Sequence, residues 1–94
     1  MRSRFTAFAT GDAEYLKRTW HPDTRPADLE LDPAQRWYRL DILGTQRGGP
    51  LDHQGIVTFR AYYRYGGTAD RLEETSSFVR QGRQWFYVDA LEIN

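Results

Sequence analysis

Four side chains of this sequence have the chemistry of a general acid or base. His21 is a histidine, the residue type whose charge changes near neutral pH, while Asp41, Glu74 and Asp89 carry carboxylates. We treat these four residues as candidate catalytic residues. A structural role is the alternative for each, because a histidine at a helix end bonds the last carbonyls and a carboxylate in a sheet pairs with arginine.

The residues around Glu74 also suggest a binding pocket. Glu74 and Ser76 are two residues apart, so in a strand they lie on one face and set a carboxylate beside a hydroxyl. The alternative is that the carboxylate anchors the helices to the sheet. On that interpretation we predict that Arg2 or Arg4 contacts the carboxylate of Glu74 or of Asp89.

The candidate pocket residues share a polar or aromatic side chain; they are Tyr15, Trp20, His21, Arg60, Tyr62, Glu74, Ser76 and Tyr87. The candidate structural anchors are Arg2, Arg4, Glu74 and Trp85. In an enzyme, Tyr62 or Tyr87 would donate a hydrogen bond to the substrate.

Metal and cofactor sites are not predicted. The sequence has no cysteine, and His21 and His53 do not form a His-x-x-x-His pair. Gly48-Gly49 and Gly66-Gly67 lack the lysine-serine or helix start that a phosphate-binding loop needs.

The charges limit the partners. Thirteen basic and thirteen acidic side chains give a formal net charge of zero, which argues against a dedicated nucleic-acid binder. No apolar run approaches the roughly 18 residues of a membrane span, and no secretory signal follows Met1. We therefore expect a cytoplasmic protein that does not bind membranes.

The elements that position these residues begin with two short helices. Phe5 and Phe8 lie three residues apart on one helical face, and Gly11 can end that helix in the left-handed conformation. Asp12 is a suitable N-cap for a second helix over 13–18. Three prolines then predict an irregular connection over 21–32.

From Trp37 onward the apolar period is two, which predicts four strands. The first has Tyr38, Leu40 and Ile42 on one face and Trp37, Arg39 and Asp41 on the other. The other three strands are predicted over 56–65, 72–80 and 84–91, joined by glycine-containing turns. The predicted fold is one α+β domain over 1–94, in which short N-terminal helices pack on a curved antiparallel meander.

The aromatic residues lead to two further predictions. Trp20, Trp37 and Trp85 are expected in the core, because the chain has few aliphatic side chains to take their place. A homodimer through the sheet is expected because the second and fourth strands carry aromatic rings on both faces, whereas the helices cover one.

Several stretches resemble a known family: MRSRFTAF at 1–8, YLKRTWHP at 15–22, ETSSF at 74–78 and WFYVD at 85–89. Together they resemble the middle domain of the YchJ family of bacterial proteins, in the same order along the whole chain. The resemblance implies a cone-shaped fold of the nuclear transport factor 2-like, SnoaL-like or cystatin-like kind, with helices closing one face of a bent sheet. It implies no established activity. Family members usually carry cysteine-rich SEC-C zinc-binding motifs outside this domain, and this chain has none.

We therefore expect a non-catalytic module that binds a small ligand or a protein. One alternative is a small isomerase, dehydratase or hydrolase that uses acid–base residues in the cone. A further alternative is an accessory domain associated with nucleic acid or the ribosome, which is supported by the arginine and tyrosine content and by the zinc-binding flanks of the family.

Overall fold

The structure, a computed structural model, describes residues 1–94. Its elements are α1 (Arg2–Thr10), α2 (Ala13–Arg18), β1 (Arg36–Arg47), β2 (Gln54–Tyr65), β3 (Thr68–Gln81) and β4 (Gln84–Ile93). The strands form one antiparallel sheet in the order β1-β2-β3-β4, so that each strand pairs with the next in sequence. This confirms the predicted α+β meander with short N-terminal helices. Neither helix has the length and apolar character needed to cross a membrane.

The first helix ends at the predicted Gly11, and the second spans the predicted residues 13–18. Gly11 ends α1 with φ at 75°, a conformation that favours glycine, and its amide donates to the carbonyl of Ala7. The side chain of Asp12 then accepts a hydrogen bond from the amide of Tyr15 at 3.0 Å, which caps α2. Leu16 on α2 is completely buried and fixes that helix in the core.

The face of the sheet that packs against the helices consists of alternate residues of β2 and β3. Phe59 and Ala61 of β2 and Ser76 and Phe78 of β3 are all buried. The register sets Phe59 opposite Glu74, so the Glu74 carboxylate belongs to this helix-facing side.

A bulge in β1 changes the predicted faces of that strand. Trp37 and Arg39 pair with successive residues of β2, so Tyr38 between them is the extra residue. The prediction placed Tyr38 on the face of Leu40 and Trp37 on the other, which was wrong. Trp37 instead faces the helices and packs against Phe8 with 6.1 Å between ring centroids, while Tyr38 is exposed.

The fully buried core is small. Its hydrophobic members are Ala7, Leu16, Phe59, Ala61 and Phe78. The prediction that all three tryptophans are core residues was wrong, because Trp20, Trp37 and Trp85 are each only partly buried. Helices of nine and six residues are too short to cover a sheet whose strands have ten to fourteen, so the large rings line open space.

The connection between α2 and β1 is irregular, as predicted, but its first residues are held on the edge of β4. The amide of Tyr87 donates to the carbonyl of Thr19 at 2.8 Å, and the amide of His21 donates to the carbonyl of Tyr87 at 2.7 Å. The hydroxyl of Thr24 adds a hydrogen bond to the carbonyl of Val88 at 2.6 Å. We call these three hydrogen bonds the β4 clip.

The face of the sheet away from the helices carries mixed charges. Arg39 pairs with Asp41 at 3.1 Å, and Arg60 pairs with Glu73 at 2.9 Å. The guanidinium of Arg39 also lies 5.1 Å from the ring centroid of Tyr62. Self-association through this face stays a prediction.

Candidate functional site

A cavity of about 200 Å³ lies between α1 and the sheet, and we call it the aromatic cavity. Its lining residues are Met1, Arg4, Phe5, Phe8, Trp20, Trp37, Phe59, Ala61, Leu72, Glu74 and Tyr87. Nine of these eleven have hydrophobic side chains, and the charged side chains are those of Arg4 and Glu74. Since a cavity of about 150 Å³ accepts benzene, this one has room for a molecule with one ring.

Arg4 is buried, with 4% of its surface exposed, and it joins α1 to α2 and β4. Its Nη1 donates to the carbonyl of Leu16 at 2.9 Å and to the hydroxyl of Thr19 at 2.7 Å. Its guanidinium carbon lies 5.3 Å from the ring centroid of Trp20 and 4.7 Å from that of Tyr87. Burial lowers the pKa of Arg4 to about 10, so the side chain is still charged at neutral pH.

The predicted ion pair between the first helix and the sheet is not formed. Neither Arg2 nor Arg4 pairs with Glu74 or Asp89; the three ion pairs of the chain lie elsewhere. Arg2 is exposed on α1. Arg4 is the anchor, but it acts through two aromatic faces and two oxygen acceptors on or beside α2.

Glu74 takes its hydrogen bonds from neighbours on the sheet. The hydroxyl of Ser76 and the phenol of Tyr87 both donate to its Oε2, the second at 3.3 Å, and no protein group donates to its Oε1. Burial and the carboxylate of Glu74 raise the pKa of the Tyr87 phenol. Tyr87 is therefore a hydrogen-bond donor at neutral pH and not a base.

One further polar atom at the aromatic cavity has no partner. The indole Nε1 of Trp20 is buried and makes no hydrogen bond. A buried donor without an acceptor costs about 1–3 kcal/mol, and because this atom has no accessible surface the cost is one of folding and not of ligand recognition.

His21 does not enter the aromatic cavity. Its Nδ1 accepts a hydrogen bond from the amide of Asp23 at 3.1 Å, and its Nε2 lies 3.1 Å from the side-chain nitrogen of Gln81. Its ring meets Phe86 edge-on at 6.5 Å. Both ring nitrogens thus have partners outside the cavity.

Asp41 and Asp89 also lie away from the cavity. Asp41 is on the opposite face of the sheet, where its hydrogen bond from Arg39 lowers the pKa of its carboxyl. Asp89 is exposed, because a bulge at Val88 sets it opposite Ser77 and off the helix-facing side. Among the four candidate acids and bases, Glu74 alone lines the cavity.

The predicted pocket residues divide between the two faces of the sheet. Trp20, Glu74 and Tyr87 line the aromatic cavity, and Ser76 is buried beside Glu74. Arg60 and Tyr62 were placed in the pocket wrongly, because the register of β2 turns them to the opposite face. On that face Arg60 pairs with Glu73, and the ring of Tyr62 contacts the guanidinium of Arg39. Tyr15, which was also predicted in the pocket, lines a second cavity.

Sequence reasoning did not predict most of the cavity residues, namely Met1, Arg4, Phe5, Phe8, Trp37, Phe59, Ala61 and Leu72. The spacing of Phe5 and Phe8 indicates an apolar helix face, but it carries no sign that space is left between that face and the sheet. Trp37 was missed because a bulge cannot be read from alternation.

The second cavity, of about 320 Å³, shares Met1 and Arg4 with the first, and we call it the arginine cavity. Its lining residues are Met1, Ser3, Arg4, Tyr15, Thr19, Thr45, Arg47, Gly48, Gly55, Ile56, Val57, Phe78 and Trp85. They include two arginines and no acid.

The domain belongs to the class of two-layer α+β domains, because its helices pack on one face of an antiparallel meander and leave a cavity between the layers. The family described as "YchJ, middle NTF2-like domain" matches residues 1–90. The chain belongs to the YchJ family, which confirms the resemblance inferred from its sequence. A similar fold occurs in the solution structure of a SEC-C motif containing protein from Rhodopseudomonas palustris. That structure has a TM-score of 0.82 and 26% identity, with 100% of this chain and 76% of that chain covered.

Curated relatives are UPF0225 proteins. That of Streptomyces avermitilis is 53% identical over 89 residues, which are 95% of this chain and 61% of that protein. That of Streptomyces coelicolor is 54% identical over 89 residues, which cover 95% and 68% of the two chains. That of Chromobacterium violaceum is 43% identical over 94 residues, which cover 97% and 70%. The chain therefore spans 61–70% of the length of these relatives.

Proposed function

We propose that the domain is a non-catalytic binding module that holds a small molecule in the aromatic cavity. The observation that carries this proposal is an apolar cavity with an unused hydrogen-bond acceptor on one of its lining residues. Glu74 Oε1 receives no hydrogen bond from the protein. An apolar site with a few polar atoms that fix orientation is the usual character of a small-ligand site.

The ligand that fits is a neutral single-ring or short aliphatic molecule with a hydroxyl group. The apolar walls favour its body, and its polar hydrogen would be donated to the Glu74 carboxylate. A permanent cation is disfavoured, because the charged guanidinium of Arg4 lines the same cavity.

Binding is favoured over acid–base catalysis because the candidate proton-transfer groups are dispersed. His21 and Asp41 have partners outside the cavity, Asp89 is exposed, and the phenol of Tyr87 has a raised pKa. Glu74 therefore lacks a second proton-transfer partner within the cavity.

We further propose that the helices and the sheet form the cone expected of nuclear transport factor 2-like and cystatin-like domains. The cytoplasm remains the proposed location.

The test is a titration of the ¹⁵N-labelled chain with benzyl alcohol, with toluene as the ligand that lacks the hydroxyl. Benzyl alcohol should shift the indole N–H signals of Trp20 and Trp37 and bind more tightly than toluene. An affinity near millimolar, about −4 kcal/mol, is expected of so small a ligand.

Two variants localise the binding. Ala61→Leu adds volume to a buried lining residue and should abolish binding, whereas Ala69→Leu, at an exposed position, should not. Glu74→Gln should reduce the preference for the alcohol over toluene. A folded Ala61→Leu variant that binds as well as the wild type would refute the proposal.

A further inference from the structure

The arginine cavity carries charges that the aromatic cavity does not explain. Arg4 and Arg47 both line it, and no aspartate or glutamate does. A cavity with two guanidinium-bearing residues and no acid has a positive potential, which attracts a negatively charged group.

Arg4 is not neutralised by direct pairing. It forms no ion pair, its Nη1 donates to two neutral oxygens, and its buried Nε has no hydrogen-bond partner. The nearby Glu74 lines the other cavity, where its Oε2 accepts from Ser76 and Tyr87. A buried positive charge is therefore left without a paired negative charge, and it acts on the cavity through its electric field because Nε itself has no accessible surface.

Arg47 is free to bind and is held in an unusual backbone conformation. It is the one residue other than glycine with a positive φ, at 56°, and its side chain makes no ion pair or hydrogen bond. A left-handed conformation is unfavourable for a residue with a Cβ, so glycine would fit this position better. The arginine occupies it at a cost to folding.

The rest of the arginine cavity supplies neutral donors and an apolar wall. The hydroxyl of Ser3 accepts from Tyr15 at 2.8 Å and keeps its own proton free, and the hydroxyl of Thr45 has no partner. Phe78 and Trp85 provide aromatic surface. The cavity therefore has hydrogen-bond donors on one part of its wall and aromatic rings on another. Such a wall suits a molecule that has an anionic head and an apolar body.

We infer that the arginine cavity binds a small organic carboxylate, with its head paired to Arg47 in the positive field of Arg4 and its apolar body against Trp85. Guanidinium groups pair with carboxylates and phosphates alike, so the choice rests on the apolar wall of Phe78 and Trp85, which holds the body of an organic acid and offers nothing to inorganic phosphate. The inference is independent of the ligand proposed for the aromatic cavity.

The test is a titration of the ¹⁵N-labelled chain with benzoate, compared with benzamide, its neutral analogue, and with inorganic phosphate. Benzoate should shift the indole N–H of Trp85 and the amides of 45–48 and bind at least about tenfold more tightly than benzamide, since hydrogen bonds to charged groups are the stronger kind. Equal binding of benzoate and benzamide would overturn the inference, and so would phosphate binding alone.

Variants of Arg47 separate the site from general charge effects. Arg47→Gln should weaken benzoate binding about tenfold or more, whereas Arg83→Gln, in the exposed β3–β4 turn, should leave it unchanged. Arg47→Gly is compatible with the backbone and should lose binding while the protein stays folded. Retained benzoate binding in a folded Arg47→Gly protein would refute the site.

The two cavities can be told apart within the same experiment. Ala61→Leu fills the aromatic cavity alone and should leave benzoate binding unchanged. Loss of benzoate binding in a folded Ala61→Leu protein would overturn the assignment to the arginine cavity.

Discussion

Replacement of Arg4 by alanine should destabilise the domain strongly. The change removes two hydrogen bonds to a charged group, at 2.9 Å and 2.7 Å, and two contacts between a cation and an aromatic ring. Hydrogen bonds to a charged group contribute about 1.5–3 kcal/mol each, and cation–ring contacts about 0.5–2 kcal/mol. Two of each at their lower bounds give about 4 kcal/mol, so we expect a loss of about 3–5 kcal/mol in the free energy of unfolding.

Two further variants separate charge from packing. Arg4→Met keeps most of the side-chain volume and removes the guanidinium whose burial lowers its pKa. Its free energy of unfolding should therefore fall by less than that of Arg4→Ala, by about 1–3 kcal/mol. Arg2→Ala, at an exposed position on the same helix, should change stability by less than about 0.5 kcal/mol.

The assay is equilibrium unfolding in urea, followed by tryptophan fluorescence, because Trp20 lies against Arg4. The free energies should fall in the order Arg2→Ala, Arg4→Met, Arg4→Ala, with the last variant the least stable. A loss of less than about 1 kcal/mol in Arg4→Ala would show that the stacked guanidinium does not hold the helices to the sheet.

Other predictions concern stability and assembly. Tyr87→Phe should cost about 1 kcal/mol near neutral pH. Because the folded-state pKa of that phenol is raised, its contribution to stability is complete below about pH 10 and is lost as the pH rises further. The difference in unfolding free energy between wild type and variant should therefore become smaller in urea titrations at alkaline pH. A difference that stays constant with pH would contradict this. Gly55→Ala should cost about 1–3 kcal/mol, since a Cβ would lie 3.1 Å from the backbone of Gly48, while thermal melts of Gly44→Ala should match the wild type. Asp12→Ala should cost about 1 kcal/mol by urea unfolding, and no change would mean that the cap is unimportant. Sedimentation equilibrium at micromolar concentration tests self-association, and a single 11.0 kDa species would refute the homodimer.

The helices and strands were predictable from the sequence because they depend on local signals. Gly11 ends the first helix and Asp12 caps the start of the second. The strands are marked by apolar residues that alternate with polar ones. The faces were less predictable, since one extra residue at Tyr38 or Val88 reverses the side on which the following residues lie. That reversal removed Asp89 from the candidate site.

The chemistry of the site was predictable only in part. Glu74 was correctly placed on the helix-facing side, because alternation in β3 is unbroken as far as this residue. The partners of Arg4 were not predicted correctly. Charge complementarity favours a carboxylate, whereas the fold places the guanidinium against the rings of Trp20 and Tyr87. Cavities leave no local signal in a sequence, because they depend on how far two layers stand apart.

The hydrogen bonds from the first 35 residues to the sheet all reach Gln81, Tyr87 or Val88. The helical layer is otherwise held by side-chain packing, as of Arg4 on Tyr87 and Phe8 on Trp37, so its separation would leave the hydrogen bonds of the meander intact. We expect such a layer to open as one cooperative unit at a lower free energy than global unfolding. In native-state hydrogen exchange, the amides of α1, α2 and Tyr87 are expected to exchange together, before those of β2 and β3.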